Sequence, residues 1–358
     1  MADEPAIDTS TIERAVGAVD SAWSLRDHHP ATGGYLPVYL LDLDTPDGPT
    51  QAVLKASPDD DTHGIDVEAH ILRLLDVDTS LPVPEVHGAV DEHDSLPAPY
   101  FLSAYAPGVT VERNELDSLP DGRLERLARA SGRYLAELHE LDPFDAYGYL
   151  ERNPDETLRG ERPRASADTL VVAEPTERWR PQLRRWADGT LDGVAETRFA
   201  DLLDDLEPFL DDRIARLDGP FRPVLGHVDN SVENVRHDPE TGEITGLLDW
   251  AFSLSVTPGY DLTLVEQSMN GGQWRLLPDS PDYTDRIRPA LLGGYRAVGS
   301  SRALAELDAH RDLYELLSLC RSMNNLESWL SVKDAAPAQV EAAARTVRDR
   351  TRTILDCG

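Results

Sequence analysis

The sequence predicts an α+β fold of two lobes, a small mainly β first lobe and a larger, mainly helical second one. Three observations predict it. Short apolar runs bounded by turn residues dominate before about residue 107, leucine and alanine at helical spacing dominate after it, and 358 residues exceed one comfortable core. The lobes are expected at residues 1–106 and 107–358, divided where Ala106, Pro107 and Gly108 break a strand and make a hinge.

In the first lobe, residues 38–43 and 52–56 are apolar runs either side of residues 45–49, whose proline, aspartate and glycine mark a turn; together they read as a β-hairpin. From 65 to 75, Ile65, Ala69, Leu72 and Leu75 recur at three- and four-residue spacing, an amphipathic helix with Glu68 beside its apolar stripe. Residues 85–90 and 100–105 are further strands. Beyond the hinge, residues 124–141 form a long buried helix stopped by Asp142 and Pro143. Residues 153–175, rich in Pro, Arg, Asp and Glu, read as a surface excursion, and helical patterns return at 178–186, 199–217, 283–298, 304–325 and 338–355.

Composition narrows the function. Asp and Glu number 66 against 34 Lys and Arg, a formal charge of -32, with 40% hydrophobic residues, too apolar for a disordered acidic chain. Lysine stands only at Lys55 and Lys333. This pattern resembles proteins of salt-loving archaea, since molar salt shortens the screening length to about 3 Å and makes such a surface tolerable. A salt-requiring cytoplasmic protein is expected. The charge argues against nucleic acid as a partner, and no apolar run approaches membrane-spanning length. Cys320 and Cys357 form no metal or disulfide framework, and nothing sets an oligomeric state.

The chemistry lies in a β-rich interval, residues 223–248. A short apolar strand leads into His227, Asp229 and Asn234; a hairpin around residues 237–242 follows, and its second strand ends on Asp249 and Trp250. Phosphoryl transfer needs a carboxylate to orient the attacking hydroxyl and oxygen ligands to hold Mg²⁺ on the phosphates. Asp229, Asn234 and Asp249 are of those types.

This succession resembles the aminoglycoside phosphotransferase/choline kinase family, whose pattern is His-Gly-Asp, four residues, Asn, then Asp-Trp or Asp-Phe. The resemblance runs over about residues 33 to 300 and implies a protein-kinase-like fold with ATP or GTP and Mg²⁺ in the cleft between the lobes, and a small-molecule hydroxyl as acceptor. By it, Asp229 accepts or orients the hydroxyl proton, Asn234 and Asp249 hold the metal, and His227 braces the loop. Asp261, within Pro258–Leu262, holds that loop from behind; Lys55 contacts the phosphates, Glu68 pairs with Lys55, and backbone groups around Ala104 and Ala106 meet the nucleobase. A lysine at 55 in a chain that otherwise uses arginine suits a compact phosphate contact.

Val228 departs from the family's glycine, residues 230–233 from its usual wording, and Ser231 stands where protein kinases place a cation. The nucleotide-covering loop is poorly marked: only Thr32 to Tyr35 could serve, and its paired glycines before a strand are equally an ordinary turn. The alternative on the same fold is a catalytically silent nucleotide-binding or regulatory module. A two-carboxylate glycosidase accounts for neither Lys55 nor the hairpin, and the P-loop, GxSxG and HExxH patterns are absent.

Overall fold

The computed structural model describes residues 7–31, 36–57, 62–113, 115–120, 122–277, 280–331 and 335–357. The elements run α1 (Thr9–Val19), β1 (Ser24–Pro30), β2 (Val38–Thr45), β3 (Gly48–Ala56), α2 (Ile65–Asp78), β4 (Val86–Val90) and β5 (Tyr100–Ala104). Then come α3 (Arg123–Glu140), β6 (Tyr147–Arg152), β7 (Leu170–Thr176), α4 (Trp179–Ala195) and α5 (Leu203–Ala215), followed by β8 (Val224–Gly226), β9 (Val235–His237), β10 (Ile244–Leu247) and β11 (Leu254–Val256). The chain finishes with α6 (Pro258–Met269), α7 (Thr284–Val298), α8 (Ser301–Ser331) and α9 (Pro337–Cys357). The expected α+β class is what the structure holds.

The chain forms two compact units. One comprises Met1–Val109, Tyr149–Ala173 and Asn234–Ser253; the other comprises Thr110–Gly148, Glu174–Glu233 and Leu254–Gly358.

In the first unit a five-stranded antiparallel sheet has the order β1-β2-β3-β5-β4. Alternation along β2 and β3 sends Tyr39, Leu41, Leu43, Ala52 and Leu54 to one face, where they pack with Ile12, Ala15 and Val16 of α1. Lys55, next to Leu54, is thereby turned to the opposite face, the side on which Glu68 of α2 meets it. The expected surface excursion also belongs here: Ala89 donates its N–H to the Glu161 carbonyl, and the Asp91 carboxylate accepts the Leu158 N–H at 2.7 Å. Backbone pairing, not an apolar period, holds that segment. β9 and β10 form the expected hairpin, tied in by the Leu247 N–H to the Pro82 carbonyl at 2.7 Å.

In the second unit α3 lies against α7 at a crossing only glycines permit. A Cβ on Gly132 would meet the Leu291 carbonyl at 2.0 Å, and one on Gly294 the Arg129 carbonyl at 2.0 Å. α6 packs on α8, which in turn contacts α4 and α9. Trp179, buried with Tyr147 and Tyr314, donates its indole N–H to the Tyr314 hydroxyl at 3.1 Å, so this tryptophan belongs to the core. Cys320 is a buried free thiol. No helix among the described residues is long and apolar enough to cross a membrane.

Glu306 of α8 sits under the first turn of α6. Burial pushes its carboxyl up to about 7, against the pull of hydrogen bonds from Thr257, Tyr314 and the Gly259 N–H. Its folded value lies above its unfolded one, so the unfolded chain loses this proton first and stability falls as pH rises from about 4.5 to about 7. Glu306→Gln is therefore expected to flatten that fall and to gain stability relative to the parent between pH 5 and pH 8. Urea titrations of both proteins at the two pH values measure it; parallel changes would contradict it.

Candidate active site

The first unit gathers Lys55, Glu68, Asp249 and Asn234. Lys55 Nζ donates to Glu68 Oε2 at 2.6 Å and to Asp249 Oδ1 at 2.9 Å, with the Lys55 side chain 12% exposed and that of Glu68 4%. The second Glu68 oxygen accepts the Trp250 N–H at 3.2 Å, so one carboxylate grips the strand lysine and the backbone beyond Asp249. Burial works against the Lys55 charge, but Glu68 and Asp249 together outweigh it and raise its pKa. Burial raises Glu68, with Lys55 opposing.

Local backbone makes this arrangement possible. Gly64, at φ +75°, caps α2, and a Cβ there would meet the Ala251 carbonyl at 2.2 Å, so glycine lets α2 close onto the segment after Asp249. Asp249 itself is left-handed, at φ 62°, a conformation aspartate tolerates better than most residues. The Leu248 N–H donates to the Asn234 carbonyl at 2.9 Å, which sets Asn234 and Asp249 on paired backbone.

Asn234 and Asp249 are hard oxygen donors of the kind magnesium takes, and phosphate oxygens and water ordinarily complete its shell. Among the described residues no group of three or more His, Cys, Asp or Glu could hold a metal ion. Two oxygen donors of this kind suit magnesium only where other ligands complete its shell.

The second unit holds the loop of His227 and Asp229. After β8, the Asp229 N–H turns back to the His227 carbonyl and the Ser231 N–H to the Asp229 carbonyl, both at 2.8 Å. His227 is buried. Val228, the departure from glycine, lies at φ 58°, the left-handed region in which a β-branched residue is strained. The Val228 N–H donates to Asp261 Oδ1 at 2.7 Å, so Asp261 meets the loop from behind. Asp261 Oδ2 meets His139 Nε2 at 2.9 Å, and His139 Nδ1 meets the Tyr295 hydroxyl at 3.0 Å, with the Asp261 and His139 side chains fully buried.

Around the Asp229 carboxylate the structure adds two residues the sequence did not reveal. Ser268, near the end of α6, donates its hydroxyl to Asp229 Oδ1 at 2.8 Å. Arg113 approaches the same oxygen at 3.3 Å and holds Glu233 Oε2 at 2.6 Å. The cation beside Asp229 thus comes from a distant segment, while Ser231 is fully buried. Arg113 lies in a stretch without periodicity, and Ser268 in a helix buried nearly all round, so neither carried a signal.

At the expected hinge the Ala104 N–H is already donated to the Glu85 carbonyl at 2.8 Å, whereas Ala106 makes no backbone hydrogen bond among the described residues. Thr32 to Tyr35 lie outside the described residues. A groove of about 430 Å³ on the first unit touches Ala104, Gln51 and Arg26 but none of Lys55, Glu68, Asn234 or Asp249.

The family model described as "Phosphotransferase enzyme family" matches residues 27–310. Acyl-CoA dehydrogenase family member 10 of Mus musculus is 24% identical over 234 residues, which are 63% of this chain and 19% of that protein, so the chain spans about a fifth of the relative's length. Among solved structures, "a putative aminoglycoside phosphotransferase" from Ralstonia eutropha JMP134 has a TM-score of 0.65 at 17% identity, covering 98% of this chain and 97% of its own. The GDP complex of wild-type aminoglycoside 2'-phosphotransferase-IIIa has a TM-score of 0.59 at 14% identity, covering 96% and 98%. The streptomycin-ATP ternary complex of APH(2")-IIa has a TM-score of 0.55 at 14% identity, covering 98% and 99%. The fold is that of these kinase-like phosphotransferases.

Because Asp261 serves both Val228 and His139 in the dry interior, Asp261→Ala is expected to cost about 3–5 kcal/mol, the usual penalty for breaking a buried charged network. Asp261→Asn, which keeps an oxygen for Val228, should cost less. Denaturant titrations compare the two; equal losses below about 1 kcal/mol would refute the bracing role.

Proposed function

This chain belongs to the phosphotransferase enzyme family, and on that footing we propose that it transfers the terminal phosphoryl group of ATP or GTP to a hydroxyl of a small molecule. The observation that carries the reading is Lys55 held by Glu68 and Asp249 at 2.6 and 2.9 Å, with the Asn234 backbone paired to the residue before Asp249. A lysine kept charged and oriented by two carboxylates is a ready phosphate contact, and it comes with oxygen donors for a metal on the same phosphates.

The division of labour follows from the residues. Asp229 accepts or orients the proton of the attacking hydroxyl, and Ser268 and Arg113 limit the directions its carboxylate can take. Asn234 and Asp249 hold magnesium, which when bound neutralises phosphate charge during transfer. Lys55 fixes the phosphates from the sheet, and the Ala106 amide is the hinge group left for a nucleobase. The acceptor is a small hydroxyl compound.

Thermal melting in molar KCl, with and without ATP or GTP and with and without Mg²⁺, tests the reading. A magnesium-dependent rise is expected, corresponding to about 2.7 kcal/mol at a hundredfold excess over Kd. Asp249→Asn should lose most of it. Asp229→Asn should keep it while lowering phosphate transfer by about 10²- to 10⁴-fold. No rise with either nucleotide in folded protein would move the reading to a silent scaffold.

A further inference from the structure

Within the second unit, α6, α8, α9 and the turn Gly272–Leu276 border a cavity of about 210 Å³ lined by Gln267, Arg275, Glu315, Arg350 and Thr353. The chain as a whole carries 66 acidic residues against 34 basic ones, yet here the balance reverses. Arg288 and Arg311 hold Glu266 at 2.6 and 3.1 Å and Glu315 at 3.0 and 3.6 Å, and Arg350 reaches Asp282 at 4.0 Å. Those pairings leave Arg275, half-buried on the cavity wall, with no hydrogen bond or ion pair to its guanidinium among the described residues. Burial and, after it, the neighbouring Arg350 push Arg275 down to about 10, while Glu315, Asp282 and Glu266 pull the other way. Arg350 stands close enough to donate to the Arg275 carbonyl at 3.4 Å.

The geometry points to an oxyanion site in this cavity, which binds a carboxylate or phosphate through Arg275 and Arg350. A guanidinium fork matches either group, and no carboxylate is hydrogen-bonded to that of Arg275 among the described residues.

As the test, inorganic phosphate and malonate are titrated at constant ionic strength without nucleotide, with melting temperature as readout. A saturable rise is expected in the parent, lost in Arg275→Gln and in Arg350→Gln and largely kept in Arg275→Lys. The absence of a rise in the parent, or an equal rise in Arg275→Gln, overturns the site.

Discussion

A carboxylate withdrawn from water must be answered by donors, and in the first unit Glu68 is answered on both oxygens, by Lys55 at 2.6 Å and by the Trp250 N–H at 3.2 Å. The pleat of β3 aims the lysine, α2 delivers the carboxylate, and the chain beyond β10 supplies the amide. Asp249 then meets Lys55 from the other side. Remove the carboxylate and three elements of different sequence origin lose their common point. The position of Asp249 therefore depends on Glu68, which holds its partner Lys55 and its neighbour Trp250.

The second unit solves a similar problem by a different route. The loop bearing Asp229 is too tight to hold itself, with successive turns closing after two residues, and its support comes from the buried Asp261, His139 and Tyr295. The carboxylate at its tip is steered from above by Ser268 and Arg113. In both units the candidate side chains, Asp249 and Asp229, are semi-exposed while Glu68, Asp261 and His139 behind them are buried, which combines access with fixed geometry.

Much of this was legible in the sequence because each part had its own pattern: the β2–β3 turn, the stripe of α2, the spacing from Asp229 to Asn234, and the hairpin leading to Asp249. What escaped lacked a pattern to read. β1 is a polar edge strand held by backbone bonds to β2, so no alternation marks it. α6 is buried nearly all round, which erases the amphipathic period, and α1 went unread although Asp8 caps it through the Thr11 N–H. Residues 153–173 join the first unit through backbone pairing and Asp91, not through an apolar face. Arg113 and Ser268 reach Asp229 only through the folded chain, 116 and 39 residues away.

Val228 carries a consequence for how this chain can change over evolution. A left-handed valine costs energy that glycine would not. Glycine at 228 would keep the N–H that Asp261 accepts and relax the turn, so that position is open to change. Asp261 answers Val228 and His139 at once and cannot be replaced without leaving both.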